Sequence, residues 1–215
     1  MSDMRRAHRL LSRRHWARYA SYALFAVGVC ALGYVAFVVI GARMYQAREL
    51  RHFEQARQPA ADALAAVPAV LRPVVVPPPP DGASIGEITI RRLRLSAVVA
   101  QGESESILRH AVGHLARTAL PGVEGNVVLA GHRDTFFRPL KDIRTGDQIT
   151  VTTLTGDFDY LVESTSIVKP TDVQVIAPTG GHTLTLITCF PFYYVGSAPN
   201  RFIVFAREVQ ASASD

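Results

Sequence analysis

The chain has 215 residues, 48% of them hydrophobic, and a formal net charge of +5; its pI is about 9.6 and its mean hydropathy +0.15. That size accommodates one domain with appendages. The basic balance does not indicate a nucleic-acid partner. Arg5, Arg6, Arg9, Arg13, Arg14 and Arg18 crowd the first 18 residues against Asp3 alone, and the remainder is close to neutral, so the charge is a local tail, not a binding face.

From Tyr19 to Ala42 there are 24 consecutive residues without a charge. A helix of that length reaches roughly 36 Å, enough to cross a hydrocarbon core of about 30 Å with some tilt. Trp16, Tyr19, Tyr22 and Tyr45 flank it as interfacial aromatics do. The run exceeds the apolar region of roughly 7–15 residues found in a cleaved signal peptide. The expectation is an uncleaved single-pass anchor over residues 19–42. Arg43, Arg48, Arg51 and Arg57 follow it, interleaved with Glu49 and Glu54. The excess of positive charge before the span then predicts a cytoplasmic tail, 1–18, and an extracytoplasmic remainder in the cell membrane.

Residues 43–66 are rich in Ala, Gln, Glu and Arg and predict a stalk helix. Pro59, Pro68, Pro73 and the run Pro77 to Pro80 then predict an extended spacer, since consecutive prolines favour polyproline II. Asp81-Gly82 is a turn signal, and stalk and linker together occupy 43–82. A folded domain is expected over 83–210, with a frayed tail at 211–215.

Within that domain, Ile85–Ile90 and Leu93–Val98 alternate as strands do. Ser104 to Leu115 places Ile107, Leu108, Ala111 and Val112 at helical spacing behind a serine N-cap. Asn126–Ala130 reads as a strand running into Gly131-His132-Arg133-Asp134, and Phe136–Ile143 as a short helix or turn. Gln148–Leu154 and Phe158–Val168 predict a hairpin around Thr155-Gly156-Asp157. The strands His182–Cys189 and Arg201–Val209 follow. Seven or eight short strands with little helix imply a mostly-β barrel or sandwich.

The strand His182–Cys189 alternates Thr with Leu or Ile and ends on a cysteine just before Phe190-Pro191, where ladder pairing must loosen. Of the two cysteines, Cys30 lies in the apolar run, so Cys189 has no partner in its own domain and a redox pair is unsupported. Among the histidines, His8 and His15 are in the tail, His52 in the stalk, and His110 and His114 on the predicted helix. His182 is about 23 Å upstream of Cys189 and on the opposite face of its strand. His132 alone stands at a strand's exit, where Gly131 permits close approach. Arg201 follows Cys189 after a loop containing Pro191, Gly196 and Pro199, which lets the next strand return beside the first. Arg207 would be remote, roughly 20 Å along.

A histidine after a strand is, by itself, more often structural, and spacing alone leaves Cys189 open between a nucleophile and an inert core thiol. Together the three residue types suit acyl transfer. The thiolate attacks, a neighbouring cation favours its formation, and a guanidinium can donate to the oxyanion of a tetrahedral intermediate.

Thr185-Leu186-Ile187-Thr188-Cys189 resembles the Thr-Leu-x-Thr-Cys motif of sortases, the membrane-anchored cysteine transpeptidases. Ala130-Gly131-His132-Arg133-Asp134-Thr135-Phe136-Phe137 resembles their histidine motif, and Asn200-Arg201-Phe202-Ile203-Val204 their arginine-bearing strand. The order His, Cys, Arg matches, and the resemblance covers about residues 85–209. Phe-Phe-Arg-Pro-Leu after the histidine and Phe-Tyr-Tyr-Val-Gly-Ser-Ala-Pro after the cysteine are most similar to class D sortases or the related class of Gram-negative bacteria. Arg91, where a proline is usual, departs from the pattern.

The resemblance implies an eight-stranded sortase β-barrel with short helices. It implies that Cys189 cleaves an LPxTG-like sorting signal between Thr and Gly through a thioacyl-enzyme, which an amine from cell-wall peptide or a pilin lysine resolves. His132 would be general acid and base, and Arg201 would hold substrate and oxyanion. The expected partners are surface proteins bearing that C-terminal signal, the amine nucleophile, and membrane lipid through residues 19–42. No cofactor or metal is expected, because no acidic cluster stands out. The rival readings are another cysteine acyl-transfer enzyme, such as an L,D-transpeptidase or endopeptidase, and a tethered β-domain that only binds.

Overall fold

The computed structural model describes residues 19, 21–37, 40, 41, 44, 46–51, 54, 55, 79–194 and 196–209. The expected tail 1–18, most of the proline-rich spacer and the C-terminal tail 211–215 lie outside the described residues. The chain divides into two units, residues 1–44 and 45–215.

In the first unit, residues 21–37 are helical and exposed throughout. That run is about 25 Å long at 1.5 Å per residue. Among the described residues no helix is long and apolar enough to cross a membrane. In the second unit, helical residues 46–51 and 54–55 fall within the expected stalk. Gln46 there accepts from the Val98 backbone N–H at 2.9 Å and donates to the His110 carbonyl.

Residues 84–208 form a closed barrel of eight strands: β1 (Ser84–Ile90), β2 (Leu95–Gln101), β3 (Val112–His114), β4 (Gly125–Ala130), β5 (Gln148–Thr152), β6 (Asp157–Val168), β7 (His182–Phe190) and β8 (Asn200–Glu208). Their order around the wall is β1-β2-β3-β4-β7-β8-β6-β5. The pairs β2/β3 and β4/β7 are parallel, and the other ladders are antiparallel. The mostly-β expectation is met in its barrel form, which removes the edge strands that an open sheet must protect.

Alternation dictates what fills it. Ile88 and Ile90 of β1, Leu184 and Leu186 of β7, and Val204 and Ala206 of β8 turn inward and are buried. Fully burying one such aliphatic side chain stabilises by about 1.5–3 kcal/mol. The β5–β6 hairpin turns where the glycine predicts, with Thr152 opposite Asp157.

Two expectations shift. β2 starts at Leu95, because Arg91–Leu93 form a 3-10 turn closed by Arg94 in the left-handed region at φ 51°. Arg91 thus opens a connection and sits outside the strands, at a first helical position where proline is also accommodated. The helix expected over 104–115 is one turn, Glu105–Leu108. Beyond it the chain becomes β3, because Val112 is buried in the barrel wall between β2 and β4, with Ala111 buried just before it. A Cβ on Gly113 would meet the Gly102 carbonyl oxygen at 2.4 Å, so that close approach requires glycine.

Candidate active site

Cys189 is the next-to-last residue of β7, and β7 lies between β4 and β8 in the wall. Its direct partner across the antiparallel ladder is Arg201, the second residue of β8. Directly opposed residues share a face with Cβ atoms about 4.5–5.5 Å apart. Because Leu184, Leu186, Val204 and Ala206 point inward, alternation sets Cys189 and Arg201 on the outer face. Cys189 is half-buried and in no disulfide. The Arg201 guanidinium donates from Nη1 to the carbonyls of Asn200 at 3.1 Å and Ala198 at 3.4 Å.

On the other flank β4 runs parallel to β7, with Ala130 opposite Ile187. Continued two residues past that last ladder pair, the same register would carry His132 to the level of Cys189. Two hydrogen bonds extend the pairing past the strand. The Gly131 N–H donates to the Ile187 carbonyl at 3.1 Å, and the Thr188 hydroxyl donates to the Gly131 carbonyl at 2.7 Å. The three residues picked from sequence therefore converge on one end of the barrel wall, in the order His132, Cys189, Arg201. Arg207 pairs with Thr183 at the far end of β7 and bonds Glu163 at 2.6 Å, as its offset predicts.

The turn that carries His132 is shaped from beneath. Phe137 is fully buried, and a Cβ on Gly131 would meet its ring at 2.8 Å. The Phe137 N–H closes the turn onto the His132 carbonyl at 3.1 Å. The His132 ring is 31% exposed, with Nε2 3.8 Å from Glu105 Oε1. Under the other side of the site, Phe190, Phe192 and Phe202 form an aromatic trio with centroids 5.3 to 6.4 Å apart. Such stacked and edge-on pairs contribute beyond their buried area and fix the strand ends that hold Cys189 and Arg201.

Four residues beyond His132, Cys189 and Arg201 support the site. Thr188 ties the cysteine strand to the histidine turn. Thr185 donates to Asn126 Oδ1 at 2.8 Å, and Asn126 Nδ2 donates to the Val175 and Ala177 carbonyls. Those two bonds lay the β6–β7 connection against the outer face of β4 and β7. Arg133 reaches the β7–β8 connection from the histidine turn. Only the threonines gave a local signal, as polar residues within an otherwise apolar strand. The other histidines are elsewhere. His182 faces Glu208 at 3.4 Å, and His114 is enclosed in β3 between Gln101 and the Ala119 carbonyl, where burial lowers its pKa.

At the rim, the Arg92 guanidinium bonds the Asp147 carboxylate, which also accepts from the Arg144 N–H at 2.8 Å. The hydrogen bond from Arg92 is the main reason that the Asp147 carboxyl lies below the usual carboxylate range. The pair joins the β1–β2 connection to the start of β5 and is structural.

The model of the sortase domain family matches residues 88–209. Sortase D of Bacillus subtilis is 34% identical over 132 residues, covering 61% of this chain and 67% of that protein. Sortase A of Listeria monocytogenes is 32% identical over 111 residues, half of each chain. Among solved structures, a Clostridium perfringens sortase D5 transpeptidase superposes with a TM-score of 0.63 at 26% identity, covering 77% of this chain and 99% of that one. Sortase E of Streptomyces avermitilis gives 0.53 at 32% identity, covering 61% and 91%. With a closed eight-stranded barrel, a free strand-end cysteine and a family match that runs from within β1 past the end of β8, the chain belongs to the sortase family of cysteine transpeptidases, with class D members among its relatives.

Proposed function

We propose that the chain cleaves an LPxTG-like sorting signal between Thr and Gly and transfers the acyl part to an amine, with Cys189, His132 and Arg201 as its catalytic residues. The observation that supports the reading is the ladder pair of Cys189 with Arg201, beside a parallel β4 that runs out at Ala130 opposite Ile187, two residues before His132.

The Cys189 thiolate adds to the threonine carbonyl carbon, and the oxygen takes up the negative charge. Arg201 then turns its guanidinium from its own loop carbonyls to that oxyanion. Collapse expels the glycine nitrogen, which leaves as an amine after taking a proton from the His132 imidazolium. The thioester that remains is attacked by an incoming amine, whose proton passes to the now neutral imidazole, and the thiolate departs. No external oxidant, metal or nucleotide is needed.

The same proposal includes a single-pass anchor over residues 19–42, with the N-terminus cytoplasmic and the barrel outside. The exposed apolar side chains of Leu24, Phe25, Leu32 and Phe37, each more than 70% exposed, support a lipid-facing helix. An anchored enzyme on a spacer suits substrates that are themselves membrane-tethered, namely surface proteins or pilins.

The test uses the full-length chain in detergent, a mixed set of LPxTG-like peptides, and amines that include a cell-wall-type peptide and a lysine-bearing peptide. A ligated product formed only with amine present identifies a transpeptidase. Cleavage at one rate whether or not amine is added identifies a hydrolase instead.

A further inference from the structure

His132 is followed by an arginine whose side chain does not run into solvent. Arg133 Nη1 donates to the Pro191 carbonyl at 2.9 Å, and Nη2 donates to the carbonyls of Tyr194 at 2.8 Å and Gly196 at 3.1 Å. Its guanidinium carbon also stands 5.8 Å from the centroid of the Tyr194 ring. All three carbonyls belong to the β7–β8 connection, which has no ladder to satisfy them. An irregular segment must find donors elsewhere or leave its carbonyls to water. The planar fork of a guanidinium carries five donors in fixed directions, so one arginine can gather three carbonyls that a lysine ammonium cannot. Among the described residues Arg133 has no carboxylate partner. Its charge is met by carbonyl dipoles and one ring face, so it holds backbone and balances no acid.

The position of this contact matters more than its strength. The β7–β8 connection begins one residue after Phe190 and ends at Asn200, so its two ends are the strand ends that bear Cys189 and Arg201. Arg133 is covalently next to His132. One side chain therefore joins the turn that presents the imidazole to the loop between the thiol and the guanidinium. A second contact from the same segment runs parallel to it, with Arg138 5.9 Å from the centroid of the Tyr193 ring. Lys141, Nζ 2.9 Å from Asp142 Oδ2, also has Tyr193 beside it.

We propose that Arg133 is a positioning residue for the acyl transfer: it clamps the β7–β8 connection to the His132 turn and so holds the three reacting side chains in one geometry. The proposal rests on the catalytic roles assigned above, and it concerns a residue that touches neither substrate nor the reacting atoms. Displacement of reacting groups by about 1 Å can cost on the order of a hundredfold in rate, so a loosened loop is read in turnover.

The experiment compares full-length wild type, Arg133→Ala and Arg133→Lys in detergent, by hydrogen exchange over residues 191–199 and by steady-state cleavage of an LPxTG-like peptide. Arg133→Ala is expected to exchange at least about tenfold faster in 191–199, with the amides of β4 and the middle of β7 unchanged, because the opening is local. Its kcat is expected to fall by about a hundredfold with KM changed far less. Arg133→Lys keeps the charge and loses the fork, and it is expected to behave like the alanine variant. The proposal is overturned if exchange in 191–199 stays at the wild-type rate, if the loop loosens while kcat holds, or if lysine restores both. Should wild type cleave no such peptide, the substrate reading fails by itself, and the exchange comparison still decides the clamp.

Discussion

The Thr188 hydroxyl donates a 2.7 Å hydrogen bond to the Gly131 carbonyl, joining the residue before Cys189 to the residue before His132. Thr188 is 2% exposed and Gly131 is buried, so water cannot replace the bond. Thr188→Val removes the donor at nearly constant shape and leaves the carbonyl unsatisfied, which costs about 1–3 kcal/mol. The expected result is a lower unfolding midpoint in denaturant and a loss of kcat, with both recovered in Thr188→Ser.

Gly131 is required by volume. A Cβ there would lie 2.8 Å from the ring of Phe137, which is fully buried and has nowhere to go. Gly131→Ala is expected to displace the His132 turn and to reduce kcat/KM by about tenfold or more. Pairing it with Phe137→Leu should restore part of that loss, which steady-state kinetics on the double variant would read.

Arg201 lies opposite Cys189 in the ladder and Glu105 beside His132, and physics separates their weights in the proposed reaction. Arg201→Lys loses the planar donors that the proposed reaction turns onto the oxyanion and is expected to lower kcat by about 10²–10³-fold. Glu105 is 65% exposed and 3.8 Å from the imidazole. Exposed ion pairs contribute little, so Glu105→Gln is expected to change kcat/KM by less than about fivefold, with the difference vanishing in high salt.

Asp147 makes acid stability readable. Its folded-state pKa is depressed, chiefly by the Arg92 hydrogen bond, so the unfolded chain takes up a proton more readily than the folded one. That contribution is complete above the unfolded carboxyl value of about 3.9 and is lost as pH falls below it towards the folded value. Thermal unfolding followed downward through that window should show a steep loss in wild type. The slope should flatten in Asp147→Asn, which starts from a lower midpoint at neutral pH.

What could be read without coordinates was the chemistry carried by periodicity. The Thr-Leu alternation ending at Cys189, the strand exit at His132 and the reversible loop before Arg201 are local patterns; the ladders pair Cys189 with Arg201 and end β4 two residues before His132. The short strand Val112–His114 was not legible, because Ile107, Leu108, Ala111 and Val112 keep helical spacing while the gap between β2 and β4 demands a strand. Nor was the clamp at Arg133 visible. Its partners lie 58 to 63 residues downstream, and no local pattern records a side chain that reaches carbonyls in another loop. Asn126 was hidden in the same way, since its contacts at Val175 and Ala177 exist only once the β6–β7 connection crosses the wall.

The proposed reaction depends on Cys189 as the nucleophile. The direct measurement is the intact mass of the full-length chain, quenched in acid during turnover of an LPxTG-like peptide, followed by mapping of the modified residue. The expected result is an added mass equal to the acyl half of the peptide, carried on Cys189, absent from Cys189→Ala and discharged faster when an amine is present. Cleavage that persists in Cys189→Ala, or an acyl group mapped to any other residue, would contradict it.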